Sequence, residues 1–194
     1  MAVDEEQTPP ETYLVKRTAY CPNSDLPVLV YRGVLGGLDE DGVSERLQSN
    51  GWVKKGTWGT IKLQHFHPNT HECYGIFQGR SELVFGEGSS DAPGTGVRCQ
   101  VRAGDVVVVP AGVSHASVPE DESAAGEEDE YRYVGVYPEG SPDWRYELGK
   151  KSFEEKGGLV EEVAGVGVPR HDPVYGLGGP LVTIWKTSRG VSAV

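Results

Sequence analysis

The feature that most constrains the fold is a series of short apolar runs, rich in valine and tyrosine, that glycine-containing turns interrupt. Such runs predict the strands of a sandwich or barrel, because a helical protein would show longer segments with a period near 3.6. The predicted strands cover residues 26–34, 74–78, 82–85, 97–102, 105–110 and 131–137. The 27 glycines follow no fixed period, which fits many tight turns. We therefore predict an all-β fold.

A chain of 194 residues suits one domain with a sizeable core. Residues 1–12 lack a core-forming pattern, and we expect them to be a disordered lead-in. Residues 13–194 are then a single domain, with a barrel core at about 58–137 and an acidic loop at 119–130. A C-terminal extension follows over residues 138–194.

One segment departs from the strand pattern. Asp39 and Asp41 are candidate N-caps, Val43 and Leu47 are four residues apart, and Gly51 is a stop signal. These signals predict one short helix, the longest of the chain.

The C-terminal extension is polar with scattered apolar positions. It predicts short helices around residues 152–156 and 159–163. Residues 181–185 are apolar and β-branched, so we expect a strand that pairs with an outer strand. Trp144 and Trp185 are expected in the core or at an interface.

The charge balance restricts the partners. Lysine and arginine number 18 against 29 acidic residues, which gives a net charge of −11 and opposes binding to nucleic acid or to anionic membranes. The acidic, proline-containing N-terminus does not resemble a targeting signal, and the longest apolar run is too short to span a membrane. We expect a cytoplasmic protein. Three well-separated cysteines indicate neither a disulfide framework nor a structural zinc site.

A period-two pattern begins at Gly59 and brings two histidines to one face. Ile61, Leu63, His65 and His67 alternate with polar or aromatic residues of the opposite face. Side chains at i and i+2 of a strand point the same way, about 7 Å apart, so two imidazoles can converge on one ion.

Two further side chains can complete a metal site. Glu72 follows the turn segment after His67, and His115 follows a Pro-Ala-Gly turn, from which it can approach on a facing strand. Three imidazoles and one carboxylate suit Fe(II), Mn(II), Ni(II), Cu(II), Co(II) or Zn(II), and they leave coordination positions open. Fe(II) is the ion we favour.

The spacing of these residues resembles the two sequence motifs of the cupin superfamily. The first motif is matched by Gly59, five residues, His65-Phe66-His67, four residues, Glu72, six residues and Gly79. The second is matched by Gly104, five residues, Pro110-Ala111-Gly112, two residues and His115. An asparagine often follows four residues later in the family, and Pro119 stands there instead. That asparagine is not a metal ligand.

The resemblance implies a single cupin jelly-roll β-barrel, or double-stranded β-helix, with a few short flanking helices. It also implies one divalent transition-metal ion inside the barrel, held by His65, His67, Glu72 and His115, and assembly as a homodimer. Most of the chain resembles a group of largely uncharacterised single-domain cupins of bacteria and fungi. That group suggests no particular substrate or reaction.

Two residues beside the predicted metal site are candidate catalytic groups. His71 can act as an acid or base, replace a ligand, or simply cap the turn. Tyr74 shares strand parity with Glu72 and either lines the site or belongs to the core, whereas Cys73 should point away. Tyr131 and Tyr133 either border the pocket or pack between barrel and helix.

Three functions are compatible with such a site. The first is a metal-dependent dioxygenase-type oxidoreductase that acts on a small organic molecule. The second is a non-redox lyase, isomerase or decarboxylase in which the ion is a Lewis acid. The third is a protein that binds a small molecule without converting it.

Overall fold

A computed structural model describes residues 7–118, 130–152 and 155–190. The strands are β1 (Glu11–Tyr13), β2 (Val28–Tyr31), β3 (Trp52–Trp58), β4 (Glu72–Gln78), β5 (Arg80–Phe85), β6 (Val97–Arg102), β7 (Val106–Val109), β8 (His115–Val118), β9 (Arg132–Pro138), β10 (His171–Asp172) and β11 (Gly176–Leu177). The helices are α1 (Glu40–Ser49), α2 (Leu159–Gly165) and α3 (Pro180–Ser188).

The strands form two main sheets with antiparallel pairing. A six-stranded sheet has the order β1-β2-β7-β4-β9-β3, and a three-stranded sheet has the order β6-β5-β8. Strands β10 and β11 form a separate pair. The predicted all-β jelly-roll barrel with short flanking helices is confirmed.

The inner strands of the six-stranded sheet, β2, β7, β4 and β9, are buried on both faces. The inner face of the sheet contributes to an interior cluster, which includes Val28, Val30, Tyr74, Ile76, Leu83, Phe85, Val107, Val109, Tyr131 and Tyr133. The outer face of the sheet contributes to a helix-side cluster, which includes Leu29, Tyr31, Val43, Leu47, Cys73, Val106, Val108, Leu181 and Trp185. Burial on both faces explains why β7 reads as four consecutive valines rather than as an alternation.

Helix α1 forms as its sequence predicts. The Asp39 side chain accepts a hydrogen bond from the main-chain nitrogen of Gly42 at 3.0 Å, which caps the helix. Val43 and Leu47 are fully buried against the sheet. They pack over Gly75 of β4, where an added Cβ would lie 2.4 Å from Val43 Cγ1, so a glycine is needed there.

All six predicted strands are present, as β2, β4, β5, β6, β7 and β9, and the helix predicted near residues 159–163 is α2. Strand β3, which pairs with β9 at one edge of the large sheet, was not predicted. Glu11 and Thr12 were expected in a disordered lead-in, but they form β1 with Tyr13 and pair with β2. Residues 1–6 lie outside the described residues, as do 119–129 of the predicted acidic loop.

The strand prediction for residues 181–185 is wrong, because this segment lies in α3. Gly179 is the N-cap and Pro180 occupies the first turn, where its missing N–H costs nothing. Leu181 and Trp185 are one helical turn apart and completely buried, so packing outweighs the weak β preference of the residues between them. The Trp185 Nε1 donates to the carbonyl of Pro27 at 2.9 Å.

The helix predicted near residues 152–156 falls partly on residues 153–154, outside the described part of the chain. Its described residues form a turn, in which the main-chain nitrogens of Glu155 and Lys156 donate to the Ser152 carbonyl at 3.1 and 3.0 Å.

The continuous strand predicted from Gly59 to His67 is also not formed. The segment runs beside β8, but Ile61 pairs with Ser117 while His65 pairs with His115. The pairing therefore advances by four residues in this segment but by only two residues in β8. The residues between them bulge outward, and Leu63 is 51% exposed.

Candidate metal centre

Four side chains from three parts of the barrel converge at one point. His65 and His67 come from the bulged segment, Glu72 begins β4, and His115 begins β8. One ligand atom from each lies within 4.8 Å of all the others, so the group could hold a metal ion. His67, Glu72 and His115 are buried, whereas His65 is half-buried.

The main chain fixes the orientation of all three imidazoles. Each ring donates a hydrogen bond from Nδ1 to a carbonyl: His65 to Leu63 at 2.8 Å, His67 to Arg145 at 2.8 Å and His115 to Val113 at 2.9 Å. A carbonyl oxygen can only accept, so Nδ1 carries the hydrogen in each ring. In the neutral ring Nε2 then has a free lone pair, which is the arrangement of metal-binding histidines.

The contacts of Glu72 test whether this donor set fits a cation. Glu72 Oε2 lies 3.1 Å from His67 Nε2 and 3.2 Å from His115 Nε2. In neutral rings these nitrogens carry no hydrogen, so lone pairs would face each other unless a proton or cation lies between them. The buried Nε2 of His115 has no hydrogen-bond partner among the described residues. The donor set therefore fits a metal ion.

Two tyrosines hold the carboxylate of Glu72. The Tyr137 hydroxyl donates to Oε1 at 2.7 Å, and the Tyr74 hydroxyl donates to Oε2 at 3.3 Å. Oε1 is thus occupied by Tyr137, while Oε2 faces the imidazoles. Tyr131 and Tyr133 are candidates from the sequence, whereas Tyr137 is a functional residue that the sequence prediction lacked. The period-two pattern of β9, continued to its end, was the available signal.

The electrostatics of the cluster follow from burial and proximity. Burial alone would raise the pKa of the Glu72 carboxyl, but the His67 and His115 rings hold it well below its ordinary value. Burial and then the neighbouring His115 lower the pKa of His65 to about 4. Burial, followed by the charge of Glu72, raises the pKa of the Tyr137 hydroxyl. Glu72 is therefore ionised and Tyr137 neutral at neutral pH.

His71 lies apart from this group. Its Nδ1 accepts from the Ala111 main-chain nitrogen at 2.9 Å, and its Nε2 donates to the Gly167 carbonyl at 3.0 Å. Its ring packs 4.7 Å from Trp185, a member of the helix-side cluster. Burial lowers the pKa of His71 to about 4. Its catalytic role stays a prediction, and these contacts favour the structural alternative.

Tyr74 faces the cluster, as its parity predicts, and Cys73 belongs to the helix-side cluster. Tyr74 and Tyr133 pack with ring centroids 4.2 Å apart, and Tyr131 lies 5.4 Å from Tyr133. These three rings fill much of the barrel interior. The remaining cavity beside His115 has a volume of about 10 Å³, roughly the room for one water molecule.

The two tryptophans of the extension differ. Trp185 is fully buried, as expected. Trp144 is 38% exposed and lies 5.5 Å from the ring of His67, beside the metal centre rather than in the core.

Among the described residues, no helix has the length and apolar character needed to cross a membrane.

Comparisons with known proteins agree with the fold. The model of the Cupin family matches residues 53–125. The chain is 27% identical over 177 residues to the "Uncharacterized protein YjlB" of Bacillus subtilis. The aligned region covers 90% of this chain and 96% of the relative.

Two solved structures are similar at low TM-scores. A protein from Klebsiella pneumoniae with a double-stranded β-helix domain is 15% identical, with a TM-score of 0.33, over 77% of this chain and 86% of its own. An oxalate decarboxylase of Lactobacillus farciminis, in a formate complex, is 15% identical with a TM-score of 0.32. The aligned region covers 52% of this chain and 34% of the decarboxylase.

The family match includes the segment that supplies all four converging side chains, and the barrel arranges them as the two motif spacings imply. Together with the relative that matches along nearly its whole length, these observations support the similarity of the chain to the cupin superfamily.

Proposed function

We propose that this protein is a metal-dependent oxygenase that holds one divalent transition-metal ion and acts on a small organic molecule. One observation carries the proposal. The Nε2 atoms of His65, His67 and His115 converge with Glu72 Oε2, and main-chain carbonyls fix each ring with its hydrogen on Nδ1. Only a cation or protonated imidazoles would relieve the close approach of these acceptor atoms.

The donor set bears on the identity of the ion. Three imidazole nitrogens and one carboxylate oxygen are of intermediate softness and suit Fe(II), Mn(II), Ni(II), Cu(II), Co(II) or Zn(II). We favour Fe(II), because a redox-active ion supplies, when bound, the electron-transfer chemistry that O2 and an organic substrate require.

The protein's own residues prepare the site. Tyr137 holds Glu72 Oε1, so the carboxylate presents its other oxygen to the imidazoles. Such outer contacts orient ligands and tune their basicity. The packed rings of Tyr74 and Tyr133 leave little room for water beside His115. A nearly dry interior strengthens electrostatic interactions with any group that enters.

The contacts around the cluster favour oxidative chemistry over proton-transfer chemistry. A lyase or isomerase needs an acid or base beside the substrate. Both ring nitrogens of His71 are bonded to the main chain, and the Tyr74 and Tyr137 hydroxyls donate to Glu72. The two candidates that the sequence predicts, His71 and Tyr74, thus already have hydrogen-bond partners. In an oxygenase, the ion and O2 supply the reactivity instead.

Element analysis of untagged wild-type protein and of a His115→Ala variant tests metal binding. We expect about one equivalent of metal in the wild type and less than a tenth of that in the variant. His171→Ala is a matched control, because His171 lies on β10 outside the cluster and should leave the metal content unchanged. Equal metal content in all three proteins would contradict the coordination.

Oxygen uptake tests the reaction. Fe(II)-loaded wild-type protein should consume O2 with a member of a panel of small phenols, ketones and thiols, and His115→Ala should not. Turnover under anaerobic conditions would support a lyase or isomerase instead. A tightly bound ligand that yields no product would support a binding protein. Cytoplasmic location and homodimer assembly stay predictions from the sequence.

A further inference from the structure

The small cavity inside the barrel adjoins the metal centre. Its volume is about 10 Å³, and two of the converging histidines, His65 and His115, line it. The ring of Tyr74 lies 6.0 Å from that of His115 and 4.2 Å from that of Tyr133, and both tyrosines are walls of the same space. A molecule held in this cavity would therefore lie beside the ion.

The rest of the lining is largely apolar. Leu83 of β5 belongs to the interior cluster, is 2% exposed and pairs across the sheet with Ser117 of β8. Ile61 lies in the bulged segment and is half-buried. Together with the faces of the two tyrosine rings, Leu83 and Ile61 give the cavity an apolar wall. Because Ile61 and His65 are only half-buried, the cavity lies close to the surface, from which a small molecule can enter.

The polar groups of the lining are already engaged in hydrogen bonds. The Ser117 hydroxyl accepts from the main-chain nitrogen of Ile61 at 3.3 Å, and the Tyr74 hydroxyl donates to the carboxylate of the metal centre. The Nδ1 atoms of His65 and His115 donate to main-chain carbonyls, and their Nε2 atoms face the proposed ion. A buried water molecule typically makes about three hydrogen bonds. These walls leave it few partners and favour an apolar occupant.

The size of the cavity restricts its occupant further. Its volume of about 10 Å³ is roughly the room for one water molecule, so an organic substrate does not fit there. Apolar cavities in proteins take up neutral gases such as xenon without polar contacts. Among the reactants of the proposed reaction, only O2 is small, neutral and apolar.

From these observations we infer that the cavity is the dioxygen-binding pocket of this protein, where Ile61, Leu83 and Ser117 hold O2 beside the metal ion. For the identity of the gas, this inference rests on the proposed function. It goes beyond that function because it gives O2 a position of its own, apart from the organic substrate. A bound cation is compatible with such a pocket, since O2 carries no charge and is held by shape and apolar contact.

Methyl NMR of the protein under oxygen pressure tests the inference with the gas itself. The protein is loaded with Zn(II), which has no redox chemistry and no unpaired electrons, so dissolved O2 is the paramagnet that accelerates relaxation. The same pressure of nitrogen gives the baseline. The Leu83 methyl groups should show at least about three times the acceleration found at Leu47 and Leu181, which are fully buried where close packing leaves little room for a gas.

Two substitutions at one position separate the volume of the cavity from its hydrogen bonding. Ser117→Val and Ser117→Ala both remove the hydroxyl that accepts from Ile61, but only valine adds bulk opposite Leu83. We expect Ser117→Val to reduce the acceleration at Leu83 to that of Leu47, and Ser117→Ala to keep the wild-type acceleration. The zinc content of both variants should match the wild type, because neither loses a ligand atom.

The outcomes separate the two proposals. Equal acceleration at Leu83, Leu47 and Leu181 in the wild type overturns the inference and leaves the metal site standing, and this measurement needs no variant to fold. The same conclusion follows if Ser117→Val folds, retains its zinc and keeps the wild-type acceleration. Rapid relaxation at Leu83 in a protein whose Fe(II) form consumes no O2 overturns the proposed function and leaves only a gas-binding cavity. Failure to take up metal overturns the proposed function and the assignment of the cavity to O2.

Discussion

The large sheet has a buried carboxylate on each face, and their surroundings differ completely. On the helix side, Asp172 accepts from the Tyr31 hydroxyl at 2.5 Å and from the main-chain nitrogens of Val174 at 2.8 Å, Tyr175 at 3.0 Å and Leu181 at 2.9 Å. In the barrel interior, Glu72 receives two tyrosine hydroxyls, but its Oε2 also lies 3.1 and 3.2 Å from the Nε2 atoms of His67 and His115, which carry no hydrogen in neutral rings.

Two buried histidines repeat this contrast. His71 carries its hydrogen on Nε2 and has a partner at each nitrogen. His115 carries its hydrogen on Nδ1, and its Nε2 has no hydrogen-bond partner among the described residues. Buried polar groups normally find partners, so an unpaired one marks a site that something else completes.

The difference teaches how to separate structural from functional polar groups. The helix-side groups have hydrogen-bond partners within the protein itself, and Asp172 connects α3 and the β10–β11 pair to Tyr31 of the sheet. With neutral imidazoles, the four converging ligand atoms of His65, His67, Glu72 and His115 are all acceptors. The helix side is thus complete without a ligand, whereas the interior becomes complete when a cation binds.

Removal of the metal is expected to have the largest effect. Binding of a metal at about a thousand times its Kd stabilises the folded state by about 4 kcal/mol. Chelation should lower the free energy of unfolding by that amount, as measured by denaturant unfolding. Hydrogen exchange should increase at β8 and at the start of β4, whereas α3 should retain its protection. Equal loss of protection at α3 would break the distinction between the two faces.

Asp172→Asn is expected to have the next largest effect, and on stability alone. An amide cannot accept from four donors as a carboxylate does, so the variant should lose about 3 kcal/mol of unfolding free energy. Element analysis should find its metal content unchanged. A loss of metal from correctly folded Asp172→Asn protein would show that the two faces are coupled.

Glu72→Gln also replaces a carboxylate by an amide, on the other face of the sheet. It should weaken metal binding rather than destabilise the metal-free protein. We expect metal affinity to fall at least about a hundredfold, or about 2.7 kcal/mol, because a charged ligand is lost. Without metal, the variant should be at least as stable as the metal-free wild type, since the amide can donate to an imidazole nitrogen. Competition with a coloured chelator measures the affinity. Wild-type affinity would remove Glu72 from the ligand set.

Tyr137→Phe should give the smallest of these effects. The change removes the 2.7 Å hydrogen bond to Glu72 Oε1 but no ligand atom. Outer contacts of this kind are worth about tenfold or more in metal affinity. Tyr74→Phe is the comparison, and its longer 3.3 Å contact predicts a smaller loss. A larger loss in Tyr74→Phe than in Tyr137→Phe would reverse the assigned roles.

Much of the fold was readable from local sequence. Period-two runs and turn glycines located six strands, and the Asp39 cap with Val43 and Leu47 located α1. The motif spacings predicted that His65, His67, Glu72 and His115 converge, as they do in the structure. The strands and α1 are local features, because side-chain parity on a strand and capping of a helix depend on neighbours within a few residues.

Tertiary structure alone decided the rest. The helical state of residues 181–185 depends on the core that buries Leu181 and Trp185, and the bulge before His65 depends on its register with β8. The hydrogen on Nδ1 of His67 is set by the carbonyl of Arg145, 78 residues away. The sequence alone determined which side chains meet. Which atom each one presents, and whether the protein's own donors satisfy it, depended on contacts between distant segments of the chain.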